Sequence, residues 1–229
     1  MKNVLKASIG ICFVIVSIFV LSSVSFAQTA NEYYNEGISL MESGNYSEAI
    51  QKFNKAIEIN PNYSKYYYSK AVCFSNLGKY NDAIMLYDNA LELNPGLDNA
   101  LINKAACLLE ANRFEEALET VDYFINENSE VTDAYLLKSN ILLNMKRYTD
   151  VIDVSDKLIV TTRGQKKSLS LAYSNKGKAF SFLGRITEAI RASNKALELD
   201  STNMEAYVAM SFAFNYEKNM TMRLKCVTK

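Results

Sequence analysis

One spacing constrains this 229-residue chain more tightly than its composition does. Tyr33, Tyr67, Leu101, Tyr135, Tyr173 and Tyr207 recur every 34 residues, with one longer interval of 38 between Tyr135 and Tyr173. Four residues after each stands a small side chain: Gly37, Ala71, Ala105, Ser139, Gly177 and Ser211. Three residues further on comes a large apolar one: Leu40, Phe74, Leu108, Leu142, Phe180 and Phe214. Offsets of 0, 4 and 7 share one face of a 3.6-residue helix, so each segment reads as a first helix that buries a stripe. Nine residues later a second stripe begins at Ala49, Ala83, Ala117, Val151 and Ala189. It continues seven residues on at Ala56, Ala90, Phe124, Leu158 and Ala196. Helix axes close to about 8 Å only where side chains are small, so these positions mark the inner seam of a helical hairpin.

The punctuation agrees with this register. Gly44, Gly78 and Gly184 fall between the two helices of a hairpin, where a residue free to take positive φ ends the first one. Asn60-Pro61-Asn62 and Asn94-Pro95-Gly96 fall between hairpins, where proline stops one helix and resets the chain. The longer interval places about four extra residues, Lys166 to Leu169, between the fourth and fifth hairpins.

An aromatic, a small residue, a glycine turn, two alanine positions and a closing proline together resemble the tetratricopeptide repeat (TPR) family. Five full units are identified at 30–63, 64–97, 98–131, 132–169 and 170–203, with a sixth opening helix at 204–217. The likeness is strongest in the first two units, where Tyr33, Gly37, Gly44, Tyr46, Ala49, Ala56 and Pro61 all fall in place. Later units depart from it: Ser129, Arg163 and Ser201 replace the proline. The fourth has Ser139, Lys146 and Val151 at the small, turn and alanine positions. The expected fold is all-α, a right-handed α-solenoid of tandem helix-turn-helix repeats over 28–217.

The two ends differ from the repeats. In residues 1–27, Lys2 and Lys6 precede an apolar run from Ile9 to Leu21, and Ser25-Phe26-Ala27 offers a small-x-small cleavage site before Gln28. This reads as a secretory signal peptide, giving an exported protein in the periplasm or outside the cell. The competing reading is an uncleaved anchor, because 7–27 carries no charge and is long enough to span a bilayer. Lipid attachment at Cys12 is disfavoured, since it follows Ile11 rather than a small residue. At the other end, a sixth second helix should place a small residue at Arg223, yet 218–229 holds Lys218, Arg223, Lys225 and Lys229 and no acid. A basic, frayed tail is expected there. Tyr207, Met210 and Phe214 are expected to seal the fifth unit, leaving Val208 and Phe212 open.

Several classes of chemistry are excluded by what is missing. Without residues 1–27 the chain keeps 23 basic and 25 acidic residues, a balance that implies no nucleic-acid partner. No histidine occurs anywhere, which removes the usual nucleophile-base pairs, imidazole metal ligands and a neutral-pH proton shuttle. Glycines are scattered at turns rather than gathered in a phosphate loop, and acids such as Glu115, Glu116 and Glu188 sit where they favour helix N-termini. No cofactor, metal or catalytic residue is expected, and the chain does not read as an enzyme. Cys73 and Cys107 occupy equivalent places in neighbouring hairpins, about 9 to 10 Å apart, too far for a disulfide. They read as buried apolar side chains.

Binding remains. The resemblance implies a superhelix whose first helices line a concave groove, with contacts one and five residues after each opening residue. Here those are Tyr34 and Ile38, Tyr68 and Val72, Ile102 and Ala106, Leu136 and Asn140, Ser174 and Lys178, and Val208 and Phe212. The family's carboxylate-clamp subtype is not matched, because its positions read Tyr34, Ile38, Ser69, Asn99 and Asn103. An apolar or amphipathic peptide is the expected ligand. A second register, Lys70, Lys104, Lys138 and Lys176, reads as lysines that lay their stems along the hairpin and carry their ammonium groups into water. The expected function is an exported, non-enzymatic scaffold that holds a peptide or protein segment. The alternative is a membrane-anchored structural subunit of an envelope or secretion assembly, with a membrane partner only if the signal segment is retained.

Overall fold

The computed structural model describes residues 29–128, 131–162 and 165–227, with side chains described to residue 216 of the last helix. The signal segment at 1–27 lies outside the described residues. Among the described residues the chain is helical with short turns and no strands. The helices are α1 (29–42), α2 (Tyr46–Ile59), α3 (Ser64–Asn76), α4 (Tyr80–Leu93), α5 (Asp98–Glu110), α6 (Phe114–Glu127), α7 (Thr132–Asn144), α8 (Tyr148–Thr161), α9 (Lys166–Phe182), α10 (Ile186–Leu199) and α11 (Met204–Val227). Odd-numbered helices carry the first stripe and the even-numbered helices α2 to α10 the second, so the fold class is the expected all-α array of tandem helical hairpins. The chain divides into two compact units, one ending at Asn103 and one beginning at Lys104, within α5.

Every hairpin turn closes by the same two backbone bonds. Asn45, Lys79, Arg113, Arg147 and Arg185 donate their N–H to the carbonyls of Leu40, Phe74, Leu108, Leu142 and Phe180 at 2.8 to 2.9 Å. Those acceptors are the third residues of the first-helix stripes. The residue before each donor bonds three back, as Gly44 does to Met41 at 3.0 Å. This Schellman closure needs a left-handed residue, found at Gly44, Gly78 and Gly184 with φ of 81, 71 and 73°. Asn112 and Lys146 take the same turn at 59 and 58° without glycine. The turn geometry therefore persists where its sequence signal is lost, because the carbonyl it satisfies is present in every unit. At one junction between hairpins, Asn62 N–H donates to Asn60 Oδ1 at 3.3 Å. Where Ser201 replaces proline, the Asp200 carboxylate accepts from the Thr202 amide at 2.9 Å and its hydroxyl at 2.6 Å. These bonds hold the Asp200 carboxyl below its ordinary value.

In the unit ending at Asn103, α2 packs on α3 and α3 on α4. Ala49, Phe53 and Cys73 form one buried cluster, joined by Ile38 and Leu40, and Ala30, Ala56 and Tyr66 form another. A Cβ on Gly37 would stand 2.5 Å from the Phe53 ring, so only glycine fits this part of the seam. Cys73 is a free, buried thiol whose pKa burial pushes up to about 11.

In the unit beginning at Lys104, each helix from α6 to α11 packs on the next, and α9 also meets α7 and α11. Leu142, Val151 and Ala179 form one cluster, and Phe180, Ala189, Ala192 and Ala213 another. Polar groups join this core. Ser170 Oγ donates to the Ala196 carbonyl at 2.8 Å and accepts from Asn203 Nδ2 at 2.7 Å. Ser181 Oγ reaches the carbonyls of Gly177 and Ala209, both at 2.9 Å.

Three expectations change here. Lys166 to Leu169 are not a linker but the first turn of α9, which is 17 residues long; four residues add about one helical turn and keep the stripe in phase. The helical backbone does not stop near Asn219: α11 runs to Val227, with no glycine or proline after Met204 to interrupt it. Nor do Tyr207 and Phe214 seal the fifth unit, since they are 48% and 51% exposed. Among the described side chains of α11, Ala206, Ala209 and Ala213 are the fully buried ones. Small residues allow α11 to come close to α9, with Ala209 Cβ 3.5 Å from the Cβ position of Gly177.

Candidate functional site

The unit ending at Asn103 places Tyr34, Ile38, Tyr68, Val72 and Ile102 on its first helices, all half-buried. Its two tyrosines are engaged in packing. The Tyr34 ring lies 5.1 Å from Tyr66 and 5.8 Å from Phe53, and its hydroxyl accepts from Ser69 Oγ at 3.4 Å. The Tyr68 ring lies 5.9 Å from Tyr87, and its oxygen accepts from Asn103 Nδ2 at 3.1 Å. Burial raises the Tyr68 pKa, so the phenol stays neutral. Both rings are thus partly committed to packing within the unit.

The unit beginning at Lys104 builds a true groove. Leu136, Asn140, Lys178 and Phe212 converge on a hollow of about 600 Å³ along α7, α9 and α11. Ala106 is half-buried and lies off its walls, and Ser174 turns inward, fully buried and donating to the Leu171 carbonyl at 2.9 Å. Leu171 and Asn175 take the wall position on α9 instead. Sequence spacing also missed Leu109, Leu143, Asn144 and Phe182, all of which line the groove. They stand eight or nine residues after their opening residues, so continuing the offsets 1 and 5 by one more turn would have found them.

The walls combine two chemistries. Phe182 and Phe212 are both exposed, with rings 5.3 Å apart, and Phe182 stacks on Tyr148 at 4.8 Å with planes 12° apart. The same hollow is lined by amides: Asn175 Nδ2 donates to Asn140 Oδ1 at 3.0 Å, and Asn144 Nδ2 donates to the Asn140 backbone carbonyl at 2.9 Å. Lys178 is ion-paired with Glu205. A second hollow, about 760 Å³ on α9 and α10, has a rim whose charges are engaged with neighbours: Lys195 with Glu198 at 2.7 Å, Glu188 with Arg185, and Lys176 with Asp156. The lysine register is likewise not free in water throughout, since Lys138 meets Asp122 at 2.6 Å. Burial lowers the pKa of Lys70.

Models of the tetratricopeptide repeat match residues 30–63, 52–85 and 171–203. The chain belongs to the tetratricopeptide repeat family. Across the middle of this TPR protein, residues 76–158 match the model of anaphase-promoting complex, cyclosome, subunit 3. No curated protein sequence matches the chain. Solved structures do: MamA from Desulfovibrio magneticus, at 20% identity and a TM-score of 0.69, covers 77% of this chain and 97% of its own. YrrB, described as a TPR protein with an unusual peptide-binding site, is 17% identical with a TM-score of 0.66 over 81% of this chain and 97% of its own. A tetratricopeptide repeat protein from Parabacteroides merdae is 16% identical with a TM-score of 0.74 over 86% of this chain and 77% of its own. At these identities the likeness establishes the fold. The family and its structural neighbours support a coarse role for this chain as a scaffold for protein–protein interaction. Among the described residues no helix is long and apolar enough to cross a membrane, and no side-chain cluster could hold a metal ion.

Proposed function

We propose that this TPR protein is an exported, non-enzymatic scaffold that holds a peptide or protein segment against its first helices, chiefly in the groove of α7, α9 and α11. The observation that carries this reading is the exposed Phe182–Phe212 pair lining one hollow together with the amides of Asn140, Asn144 and Asn175. Exposed aromatic side chains beside oriented polar groups are what a binding groove offers a polypeptide, apolar area for affinity and hydrogen bonds for register. Solvation alone would favour charges at those positions. Export rests on the lysine-flanked apolar run and small-x-small site of residues 1–27.

Crosslinking and affinity capture from an envelope fraction tests the binding role, with a Phe182→Asp, Phe212→Asp double variant as control. Both side chains are exposed, so helicity should be unchanged while capture of the partner is lost. Equal capture by the variant removes the groove assignment. Mass spectrometry of the mature N-terminus tests export: a start at Gln28 supports it, and an intact Met1 favours the anchored subunit instead.

A further inference from the structure

Two lysines of the second hairpin, α3 and α4, lack the acids that their counterparts elsewhere in the chain carry. On the first helices, Lys138 and Lys176 stand three residues after their opening tyrosines and are ion-paired with Asp122 and Asp156 of the preceding second helix. Lys70 holds the same register, but sixteen residues before it, where Lys138 finds Asp122, the chain has Asn54. At the hairpin turns, Arg113, Arg147 and Arg185 each pair with the acid three residues on. Lys79 is the turn residue of the second hairpin, with Asp82 three residues on. Among the described residues neither Lys70 nor Lys79 has an ion-pair partner. Their ammonium groups lie over the Phe74 ring instead, 6.0 and 5.8 Å from its centre. The fifth hairpin repeats this arrangement around Phe180, with Lys176 at 5.6 Å and Arg185 at 4.5 Å, and there Asp156 and Glu188 neutralise both cations. Lys70 is half-buried, and burial lowers its pKa with no anion beside it to oppose the shift.

We propose that the second hairpin carries, on the face turned away from the groove, a docking site for an acidic protein segment, which supplies to Lys70 and Lys79 the two carboxylates that Asp156 and Glu188 supply to Lys176 and Arg185. This surface is separate from the groove described above. Lys70 lies two residues, about 200° of helix, from both Tyr68 and Val72, which hold the groove register on α3. A half-buried ammonium attracts a carboxylate more strongly than a fully exposed one does, because less water screens the pair. The occupant is a polypeptide rather than a nucleic acid or a bilayer. Two cations are few for either, and Asp82 and Asp88, both exposed on α4, would repel a broad negative surface. A protein segment can place its two carboxylates and turn away.

The test measures binding of short labelled peptides to the full chain by fluorescence anisotropy, each peptide carrying two aspartates at a varied separation and matched by an asparagine control. The aspartate peptides should bind, more weakly as salt rises, and the controls should not. Lys70→Gln combined with Lys79→Gln should weaken the best peptide about tenfold, with helicity unchanged. Asn54→Asp gives Lys70 an internal acid in the register of Asp122, and should weaken the same peptide although it removes no cation. Conversely, Asp156→Asn combined with Glu188→Gln uncovers the cations around Phe180 and should raise the stoichiometry from one peptide to two. Wild-type affinity in both the double lysine variant and Asn54→Asp would overturn the proposal. So would failure of every aspartate peptide to bind, displacement by inorganic phosphate at the peptide's own concentration, or loss of binding in the Phe182→Asp, Phe212→Asp variant instead. None of these outcomes counts against the groove, which the capture experiment above tests by itself.

Discussion

The units on either side of Asn103 solve the same packing problem with different side chains. Up to Asn103, the space between paired helices is filled by aromatic rings against alanine and glycine: Phe53 against Gly37, and Tyr34 among Phe53, Tyr63 and Tyr66. Beyond it, and most clearly from α9 to α11, seam and inter-helix positions hold Ser170, Ser174, Asn175, Ser181, Ser193 and Asn203, all buried. The backbone is the same hairpin in both. The difference teaches that this fold specifies the size of the seam residue more strictly than its polarity. A hydroxyl replaces a methyl at least cost where a nearby carbonyl or amide receives it, as at Ser170 and Ser181.

The largest expected break in this comparison is Phe53→Ala. It removes a fully buried ring that fills the space beside Gly37, and should cost about 3 to 5 kcal/mol in urea unfolding. A loss below 1 kcal/mol would show that the aromatic seam collapses easily and is not the main source of stability in that unit. Next comes Ser170→Ala, which orphans Asn203 Nδ2 and should cost about 1 to 3 kcal/mol. Ser193→Ala is its counterpart. That hydroxyl is buried with no hydrogen-bond partner among the described residues, so its removal should be neutral or stabilising by up to about 1 kcal/mol. Equal effects for the two serines would refute the claim that buried polarity costs less when it is satisfied.

A smaller change sharpens the comparison at the turns. Lys146 holds a left-handed conformation that Gly44 and Gly78 adopt without strain, so Lys146→Gly should raise stability by about 1 kcal/mol, read as a higher melting temperature. Gly78→Lys should lower it by a similar amount.

The smallest effect is in acid. Arg113 and Arg185, each bonded to a carboxylate three residues on, hold Glu116 and Glu188 below the ordinary carboxylate range, and Thr202 does the same for Asp200. Because the folded values are depressed, the stability these groups contribute is fully present above their unfolded values, about pH 4, and is lost as pH falls through the folded ones. All three lie beyond Lys104, whereas the Asn60-Pro61 junction has no titrating side chain. Amide hydrogen exchange at decreasing pH should therefore rise first at the turns around Arg113, Arg185 and Asp200. A simultaneous rise around Asn60 would contradict it.

Much of this architecture was legible from residue types alone, and the reasons are specific. Small residues at 37, 71, 105, 139 and 177 are required wherever two helices touch, so their spacing reports the hairpin directly, and all five are buried. The left-handed turns were legible only where they carry glycine. At Asn112 and Lys146 the same geometry is imposed by the flanking helices and the carbonyl to be satisfied, neither of which is a property of the turn residue. The candidate site was legible in part. Offsets of 1 and 5 found Leu136, Asn140, Lys178, Val208 and Phe212. Ser174 turned inward because a serine can bond its own helix carbonyl, and Asn175 took the wall.

By itself, then, the order of amino acids determined the hairpin, its period and the faces that must be buried, since these follow from helical geometry and side-chain volume, which are local. Only the tertiary structure decided that α11 seals its neighbours through Ala206, Ala209 and Ala213 rather than through the stripe of Tyr207 and Phe214. It alone decided that Tyr34 and Tyr68 pack against the neighbouring rings of Tyr66 and Tyr87, and that Asn175 holds Asn140. Each of these depends on which helix arrives alongside and how closely. Contacts between residues about 35 positions apart are set by packing, which no single segment contains.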